Sequence, residues 1–104
     1  MLGGGGVGYK IRWSPDARDH LRLLPAHRRA LVLDGVERHL TEQPGDPTQK
    51  RKLLAANRLA TWELRLGDVR VFYDVSREEN TVEVLAVGVK ERNRLRIGGE
   101  EVEL

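Results

Sequence analysis

Cysteine is absent from this chain of 104 residues, and its absence excludes several chemistries. Without a thiol the chain can form no disulfide, no thiolate metal site and no cysteine nucleophile. A chain without cysteine fits a cytoplasmic protein, which is the localisation that we expect. Histidine is scarce as well: His20, His27 and His39 form no HxxxH pair, so we expect no metal ion and no other cofactor.

Aromatic residues and long apolar runs are also few. The aromatic residues make up 5% of the chain, which is too few for a platform on which several nucleobases stack. The apolar runs are too short to cross a bilayer, so we expect no membrane partner. Charged residues are plentiful but balanced, with 18 Lys and Arg against 16 Asp and Glu. Their positions are therefore more informative than their sum.

The first residues, MLGGGGVG, have the composition of a flexible leader. They contain a GxGxxG pattern, which cradles a phosphate only when it follows a strand and opens a helix. Here a strand is predicted to follow the glycines, so we do not interpret the pattern as a nucleotide site. We expect a leader over residues 1–8 and a single domain over residues 9–104.

The N-terminal half predicts a short strand and two helices. Residues 9–13, YKIRW, alternate and are rich in β-forming residues. Ser14 as N-cap and Pro15 at the first helical position mark the start of a helix. Pro25 ends this helix and starts the next one. Helical spacing in the second helix predicts that four apolar residues face the core: Ala30, Leu33, Val36 and Leu40.

Residues 61–75, TWELRLGDVRVFYDV, alternate with a period of two on both sides of Gly67-Asp68. This pattern predicts two strands joined by a two-residue turn with glycine first. One face of the pair is apolar and is predicted to meet the core, with Trp62, Leu64, Leu66, Val69, Val71, Tyr73 and Val75. The second face carries Glu63, Arg65, Arg70 and Phe72.

Two further patterns complete a predicted sheet. The nearly continuous apolar run TVEVLAVGVK is typical of a central strand covered on both faces. NRLRI-GG-EEVEL predicts a C-terminal hairpin around Gly98-Gly99, in which Arg96 stands opposite Glu101 and Arg94 stands opposite Glu103. The order of elements predicts an α+β fold: an N-terminal strand, an αα-hairpin, then antiparallel strands that form a small twisted sheet with the helices on one face.

WELRLGDVRVFYDV, then a turn and TVEVLAVGVKER, preceded by a basic loop and an αα-hairpin, resemble the RelE/ParE superfamily of toxins from type II toxin–antitoxin systems. The resemblance extends over residues 9–96. It implies a RelE/ParE-like fold and a microbial toxin whose open sheet face enters the ribosomal A site and cuts mRNA without a metal. It also implies a cognate antitoxin protein. Two alternatives stay open: a ParE-like inhibitor of DNA gyrase and a catalytically inactive toxin-fold binding protein.

The resemblance also implies the site residues. Arg65 matches a basic residue of the cleavage site, and Arg70 matches the arginine at the scissile phosphate. Lys90 matches the basic residue at the end of the last core strand, whereas Glu63 occupies a position that is often basic in the family. Members that cut RNA often carry a Tyr or His after this strand. Here the sequence is ERNRLRIGG, which contains neither.

The chemistry of these residue types suggests a role for each. Two arginines beside one turn can clamp a phosphate, since guanidinium groups bind its oxygens in pairs and stay charged. Lys90 is a candidate proton donor or acceptor. Glu63 is a general base, a cross-strand partner of an arginine, or a group that neutralises Arg65 two residues away on the same face. The structural alternative for all of these cations is a solvated sheet face.

Other basic residues are candidates for binding RNA. They are Arg92 and the run Lys50, Arg51 and Lys52. The run lies in a predicted loop, where such charges either contact rRNA without sequence preference or are solvated. Phe72, beside Arg70, either stacks on a base or contacts the C-terminal segment.

Overall fold

The computed structural model describes residues 8–104 of the chain. Of the leader expected over residues 1–8, residues 1–7 lie outside the described residues. The elements are β1 (Lys10–Trp13), α1 (Pro15–Leu23), α2 (Ala26–Leu40), β2 (Arg51–Leu53), β3 (Trp62–Leu66), β4 (Val69–Ser76), β5 (Thr81–Glu91), β6 (Arg94–Ile97) and β7 (Glu100–Val102).

These seven strands form one sheet in the order β2-β3-β4-β5-β6-β7, with β1 paired to β5 in parallel. The other neighbouring pairs are antiparallel. β5 is the central strand: β4 occupies one of its edges, and β1 and β6 follow one another along the other edge. The predicted α+β arrangement and the central position of the long apolar run are both confirmed.

Ser14 ends β1 and begins α1, as the sequence predicts. Its backbone N–H donates to the carbonyl of Val84 at 2.9 Å, and its Oγ accepts from the N–H of Ala17 at 3.0 Å. Pro15 follows at the first helical position. A serine cap of this kind stabilises a helix by about 1 kcal/mol. Ser14 therefore fixes where the chain leaves the sheet and enters the αα-hairpin.

The core face of α2 differs in part from the predicted one. Val36 and Leu40 are buried as expected, but Ala30 is exposed and Leu33 is 50% exposed. Val32 is buried in the place of these two. The reason is Gly35, which faces Leu66 so closely that a Cβ would lie 2.5 Å from the leucine Cδ1. The missing side chain lets the helix approach the sheet on its 32–35–36 side.

The two faces of the sheet have separate cores. The helix-covered face carries the main cluster, which includes six of the seven apolar residues predicted for this face of residues 61–75, and the seventh, Val75, is partly buried against it. The opposite face carries a small cluster of Phe72, Ala86 and Ile97. In the β4–β5 ladder Phe72 pairs with Ala86 but Tyr73 pairs with Val84, so the register shifts there. This bulge sends apolar residues of β5 to both faces.

The C-terminal hairpin is present in the predicted register. Leu95 stands opposite Val102 and Arg96 opposite Glu101, and the turn glycines Gly98 and Gly99 have φ of 62° and 84°. The expected pairing of Arg94 with Glu103 is wrong, because β7 ends at Val102. Arg94 contacts Glu101 instead, diagonally, at 3.6 Å.

Neither helix of residues 8–104 has the length and apolar character required to pass through a membrane.

Candidate functional site

The sheet face away from the helices is partly covered. Leu54, Leu59 and Ala60, from the loop between β2 and β3, pack on the small cluster from one side, and Leu95 and Val102 pack on it from the other. Phe72 is fully buried beneath them. Phe72 therefore cannot stack on a base. The alternative prediction, that it contacts the C-terminal segment, is confirmed. The exposed polar part of this face lies at the end nearer the β3–β4 turn.

Arg65 and Arg70 stand directly opposite each other in the β3–β4 hairpin. Directly opposite residues share one face of a sheet, with Cα atoms roughly 4.5–5.5 Å apart. Both arginines therefore rise from the second face beside the turn, as the alternation predicts. Like charges in directly opposite positions destabilise a sheet. Folding alone gives no reason to place two arginines there.

Arg70 rests on the turn that precedes it. Its Nη1 donates to the carbonyls of Gly67 and, at 3.0 Å, Val69. Its Nε is buried and has no hydrogen-bond partner within residues 8–104. A buried N–H without an acceptor costs about 1–3 kcal/mol, and such groups call for a functional or structural explanation.

Glu63 holds Arg65. The Nε of Arg65 lies 3.1 Å from Oε1 of Glu63, and the two side chains are 43% and 11% exposed. The predicted neutralisation of Arg65 by Glu63 on the same strand is confirmed. The alternative pairing with an arginine across strands is wrong, because the cross-strand neighbours of Glu63 are Lys52 and Phe72. A nearly buried carboxylate needs such a cation. A role for Glu63 as general base stays a prediction.

Lys90 and Glu63 line one cleft. The cleft has a volume of about 400 Å³, and its other lining residues are Asn93, Leu95, Val102, Glu103 and Leu104. The side chain of Lys90 is exposed, whereas its backbone N–H donates to the carbonyl of Asp68 at 2.7 Å. The end of β5 is thus joined to the β3–β4 turn. The two arginines, Lys90 and Glu63 therefore lie at one end of the second face.

Arg92 does not line this cleft, although its neighbour Asn93 does. With Asn93 it forms the turn between β5 and β6, and both residues have positive φ, at 52° and 66°. Arg92 is exposed and does not line the cleft that contains Lys90. Its predicted contact with RNA would therefore be made at the tip of the hairpin.

The basic run at residues 50–52 is split between the two faces. Lys52 stands opposite Glu63 on the second face, whereas Arg51 stands opposite Leu64 on the helix-covered face. The Arg51 guanidinium donates to the carbonyls of His39 at 2.7 Å, Asp46 at 3.0 Å and Glu42 at 3.2 Å. Arg51 thus secures the end of α2, and of the run only Lys50 and Lys52 are exposed.

The charges of this run also act on a histidine. Partial burial, followed by the positive charges of Lys50 and Arg51, lowers the pKa of His39 below its ordinary value. The histidine lies near the end of α2, on the helix side. It is not part of the candidate site.

An ion pair that the sequence did not predict links α2 to the β3–β4 turn. Arg28 of α2 places Nη2 2.6 Å from Oδ2 of Asp68, and the two residues are 40 positions apart. A pair this distant leaves no local pattern.

His20 of α1 also makes a contact that the sequence did not predict: its Nδ1 accepts a hydrogen bond from the N–H of Val87 at 3.3 Å. Val87 lies on the edge of β5 between the segment that pairs with β1 and the segment that pairs with β6. His20 accepts the backbone N–H that neither strand pairs with there.

The chemistry of the site is that of anion binding. Within residues 8–104 there is no group of three or more His, Asp or Glu side chains that could hold a metal ion. Arg65 and Arg70 can bind phosphate oxygens in pairs. Lys90 and Glu63 supply one group that can donate a proton and one that can accept it. An arrangement of this kind suits a phosphodiester.

Comparison with known proteins identifies relatives of this arrangement. A family model described as the ParE toxin of the type II toxin–antitoxin system, parDE, matches residues 11–94. The chain is similar to a chain of the toxin–antitoxin complex RelBE2 from Mycobacterium tuberculosis, with 28% identity, a TM-score of 0.71 and coverage of 82% of this chain and 94% of that chain.

A second solved structure shares the fold. A chain of the archaeal RelE–RelB complex from Pyrococcus horikoshii OT3 has 23% identity and a TM-score of 0.65, with coverage of 81% of this chain and 97% of that chain. No curated protein matches the chain.

Proposed function

Since the chain belongs to the ParE toxin family of type II toxin–antitoxin systems, we propose that it is a toxin that cuts mRNA on the ribosome, in the cytoplasm. The observation that carries the proposal is the position of Arg65 directly opposite Arg70. The pair is unfavourable for folding, and it stands on the second face beside the β3–β4 turn. A bound phosphodiester would offset the repulsion between the two guanidinium groups.

The proposed reaction is an internal transesterification of RNA. The ribose 2′-oxygen forms a bond to the phosphorus, the bond to the 5′-oxygen breaks, and a cyclic phosphate and a 5′-hydroxyl result. Arg65 and Arg70 stabilise the extra negative charge that develops on the phosphate. Glu63 and Lys90, which line one cleft, are the candidates to accept the proton of the 2′-hydroxyl and to protonate the leaving oxygen. Lys50, Lys52 and Arg92 would add contacts to RNA that salt weakens.

We propose a cognate antitoxin protein as the partner that restrains this activity. The support comes from the relative with 28% identity, whose structure is that of a toxin–antitoxin complex. The ribosome and its mRNA are the proposed targets of the toxin.

A second function has specific support. The matching family model is described by the name ParE, and no Tyr or His follows Lys90. A toxin that inhibits DNA gyrase without cleaving RNA is therefore the alternative. A toxin-fold protein that binds without catalysis is a third possibility.

A purified translation system separates these functions. We expect the chain to produce mRNA ends in phase with the codons only when ribosomes are present, and we expect Arg70→Ala to abolish these ends. The same preparation is added to a gyrase supercoiling assay. Intact mRNA together with inhibited supercoiling would overturn the proposal in favour of gyrase. Intact mRNA together with normal supercoiling would favour a binding protein.

A further inference from the structure

We propose that Arg28 of α2 is a positioning residue, which acts through Asp68 to hold the turn on which Arg70 and Lys90 depend. The inference rests on the proposed function, because it concerns the placement of the residues that would bind the phosphate. Its starting point is the contact of Arg28 with Asp68 at 2.6 Å.

Asp68 joins three parts of the site. Its carboxylate is held by Arg28, and its backbone carbonyl accepts the N–H of Lys90 at 2.7 Å. The residues on either side of it, Gly67 and Val69, supply the carbonyls that hold the Arg70 guanidinium. A shift of this turn would therefore move Arg70 and the end of β5 together.

The position of Arg28 is not explained by the stability of α2. A positive charge near the N-terminus of a helix is unfavourable because the helix dipole is positive at that end. α2 has no acidic residue in its first turn and no side-chain cap at Pro25. Without a partner elsewhere Arg28 would destabilise the start of the helix. Asp68 supplies the negative charge from the β3–β4 turn.

The turn residues themselves have an open outer side, because a Cβ added to Gly67 would meet nothing within 4 Å. Leu66 and Val69, on either side of the turn, pack in the main core cluster, and Leu66 lies against Gly35 of α2. The two-residue turn fixes the register of β3 and β4 but not the orientation of Asp68 relative to α2. The ion pair with Arg28 supplies a polar contact from Asp68 itself to the helix layer.

A neighbouring arginine provides the matched control. Arg29 lies one residue further along α2, and its Nη1 donates to the carbonyl of Leu24 at 2.7 Å. It has the same charge as Arg28 at the same end of the helix, but it contacts the chain before α2 and not the β3–β4 turn. Arg29→Ala therefore changes the charge of the helix end in the same way and leaves the turn untouched.

The first readout does not depend on activity. Amide hydrogen exchange at Lys90, measured by NMR on the full chain, reports the hydrogen bond to Asp68. We expect exchange to be about 10-fold faster in Arg28→Ala and in Asp68→Asn and unchanged in Arg29→Ala. The double variant should be no faster than either single variant, because both substitutions break one contact. Unchanged exchange in Arg28→Ala would overturn the inference whatever the toxin does.

The second readout is the rate of mRNA cleavage on ribosomes at saturating and at limiting ribosome concentration. We expect the saturated rate to fall roughly 10-fold in Arg28→Ala and in Asp68→Asn, because misplaced catalytic groups slow the chemical step. The apparent KM should change less than two-fold, and Arg29→Ala should match the wild type. The charge-swapped double variant Arg28→Asp with Asp68→Arg should recover part of the rate.

The outcomes separate the two proposals. Faster exchange with an unchanged cleavage rate would overturn the inference and leave the proposed function standing. No cleavage by the wild-type chain would overturn the proposed function, and the exchange measurement would still decide whether α2 holds the turn.

Discussion

Two hairpins of the same sheet end in two-residue turns but carry opposite charge patterns. In the β3–β4 hairpin Arg65 stands opposite Arg70, and in the β6–β7 hairpin Arg96 stands opposite Glu101. The second hairpin has the pattern that favours strand pairing, since opposite charges in this position contribute about 0.2–1 kcal/mol. The first hairpin has the pattern that opposes it.

The faces of the two hairpins differ as well. Arg65 and Arg70 stand on the open face, whereas Arg96 stands opposite Val89, a residue of the main core cluster, and so lies on the helix side. Positions where a sequence violates a local folding rule are expected to be functional sites. The comparison therefore supports the proposed phosphate-binding role of the Arg65–Arg70 pair and a structural role for the Arg96–Glu101 pair.

The largest effect on stability is expected where the two hairpins meet. Gly88 lies between Arg70 of β4 and Ile97 of β6. A Cβ at this position would lie 2.6 Å from the carbonyl oxygen of Arg96 and 2.8 Å from Cγ1 of Ile97. We expect Gly88→Ala to lower the free energy of unfolding by about 2 kcal/mol, as overpacking does, and to loosen the C-terminal hairpin.

Chemical denaturation measures this change, and Gly45→Ala is the control. A Cβ at Gly45 would meet only the end of the Arg77 side chain, at 3.4 Å. A loss below about 0.5 kcal/mol for Gly88→Ala, within the range of ordinary surface substitutions, would show that the two hairpins are not tightly joined.

A smaller effect is expected when the C-terminal hairpin receives the charge pattern of the first one. Glu101→Lys places three cations together, because Arg94 contacts Glu101 and Arg96 stands opposite it. We expect the free energy of unfolding to fall by about 0.5–1 kcal/mol at low salt, since solvent screens these exposed groups. The loss should shrink at high salt. Glu79→Lys in the exposed β4–β5 turn serves as the control, and an equal loss in both variants would refute the pairing.

The smallest effect is expected from the opposite change in the first hairpin. Arg70→Gln removes one of two like charges, and Arg70 makes no ion pair with an acidic side chain of residues 8–104. We expect the free energy of unfolding at low salt to stay the same or to rise by at most about 0.5 kcal/mol. Thermal denaturation would then show an unchanged or slightly higher midpoint. A clear loss of stability would mean that Arg70 supports the fold.

Sequence patterns were sufficient for the strands of both hairpins because each strand has one buried face. A slip by one residue would expose Leu64, Val71 and their neighbours, so burial fixes which side Arg65 and Arg70 take. The same alternation separates Arg51 from Lys52, although the run was interpreted as one basic loop. β2 was not predicted there, because it is short and its partner β3 is required to reveal it.

The misses share a physical cause. The inner face of α2 depends on how closely Gly35 approaches Leu66, and the hold on the turn depends on Arg28 reaching Asp68. Both are contacts between residues far apart in sequence, so helical spacing alone could not show them. For Glu63 the sequence left open whether its arginine partner was Arg65 on the same strand or an arginine across strands, because the sequence does not show that the Glu63 side chain lies almost buried.

Two matched double variants test the central claim most directly. Arg65→Ala with Arg70→Ala removes the arginine pair of the first hairpin, and Arg94→Ala with Arg96→Ala removes two arginines from the second, with the same change in net charge. Cleavage of mRNA on ribosomes is measured for both beside the wild type. We predict a loss of at least roughly 100-fold for the first variant and less than about three-fold for the second, since the proposed mechanism stabilises transition-state charge on the open face alone. Equal losses in the two variants, or full activity in the first, would contradict the account.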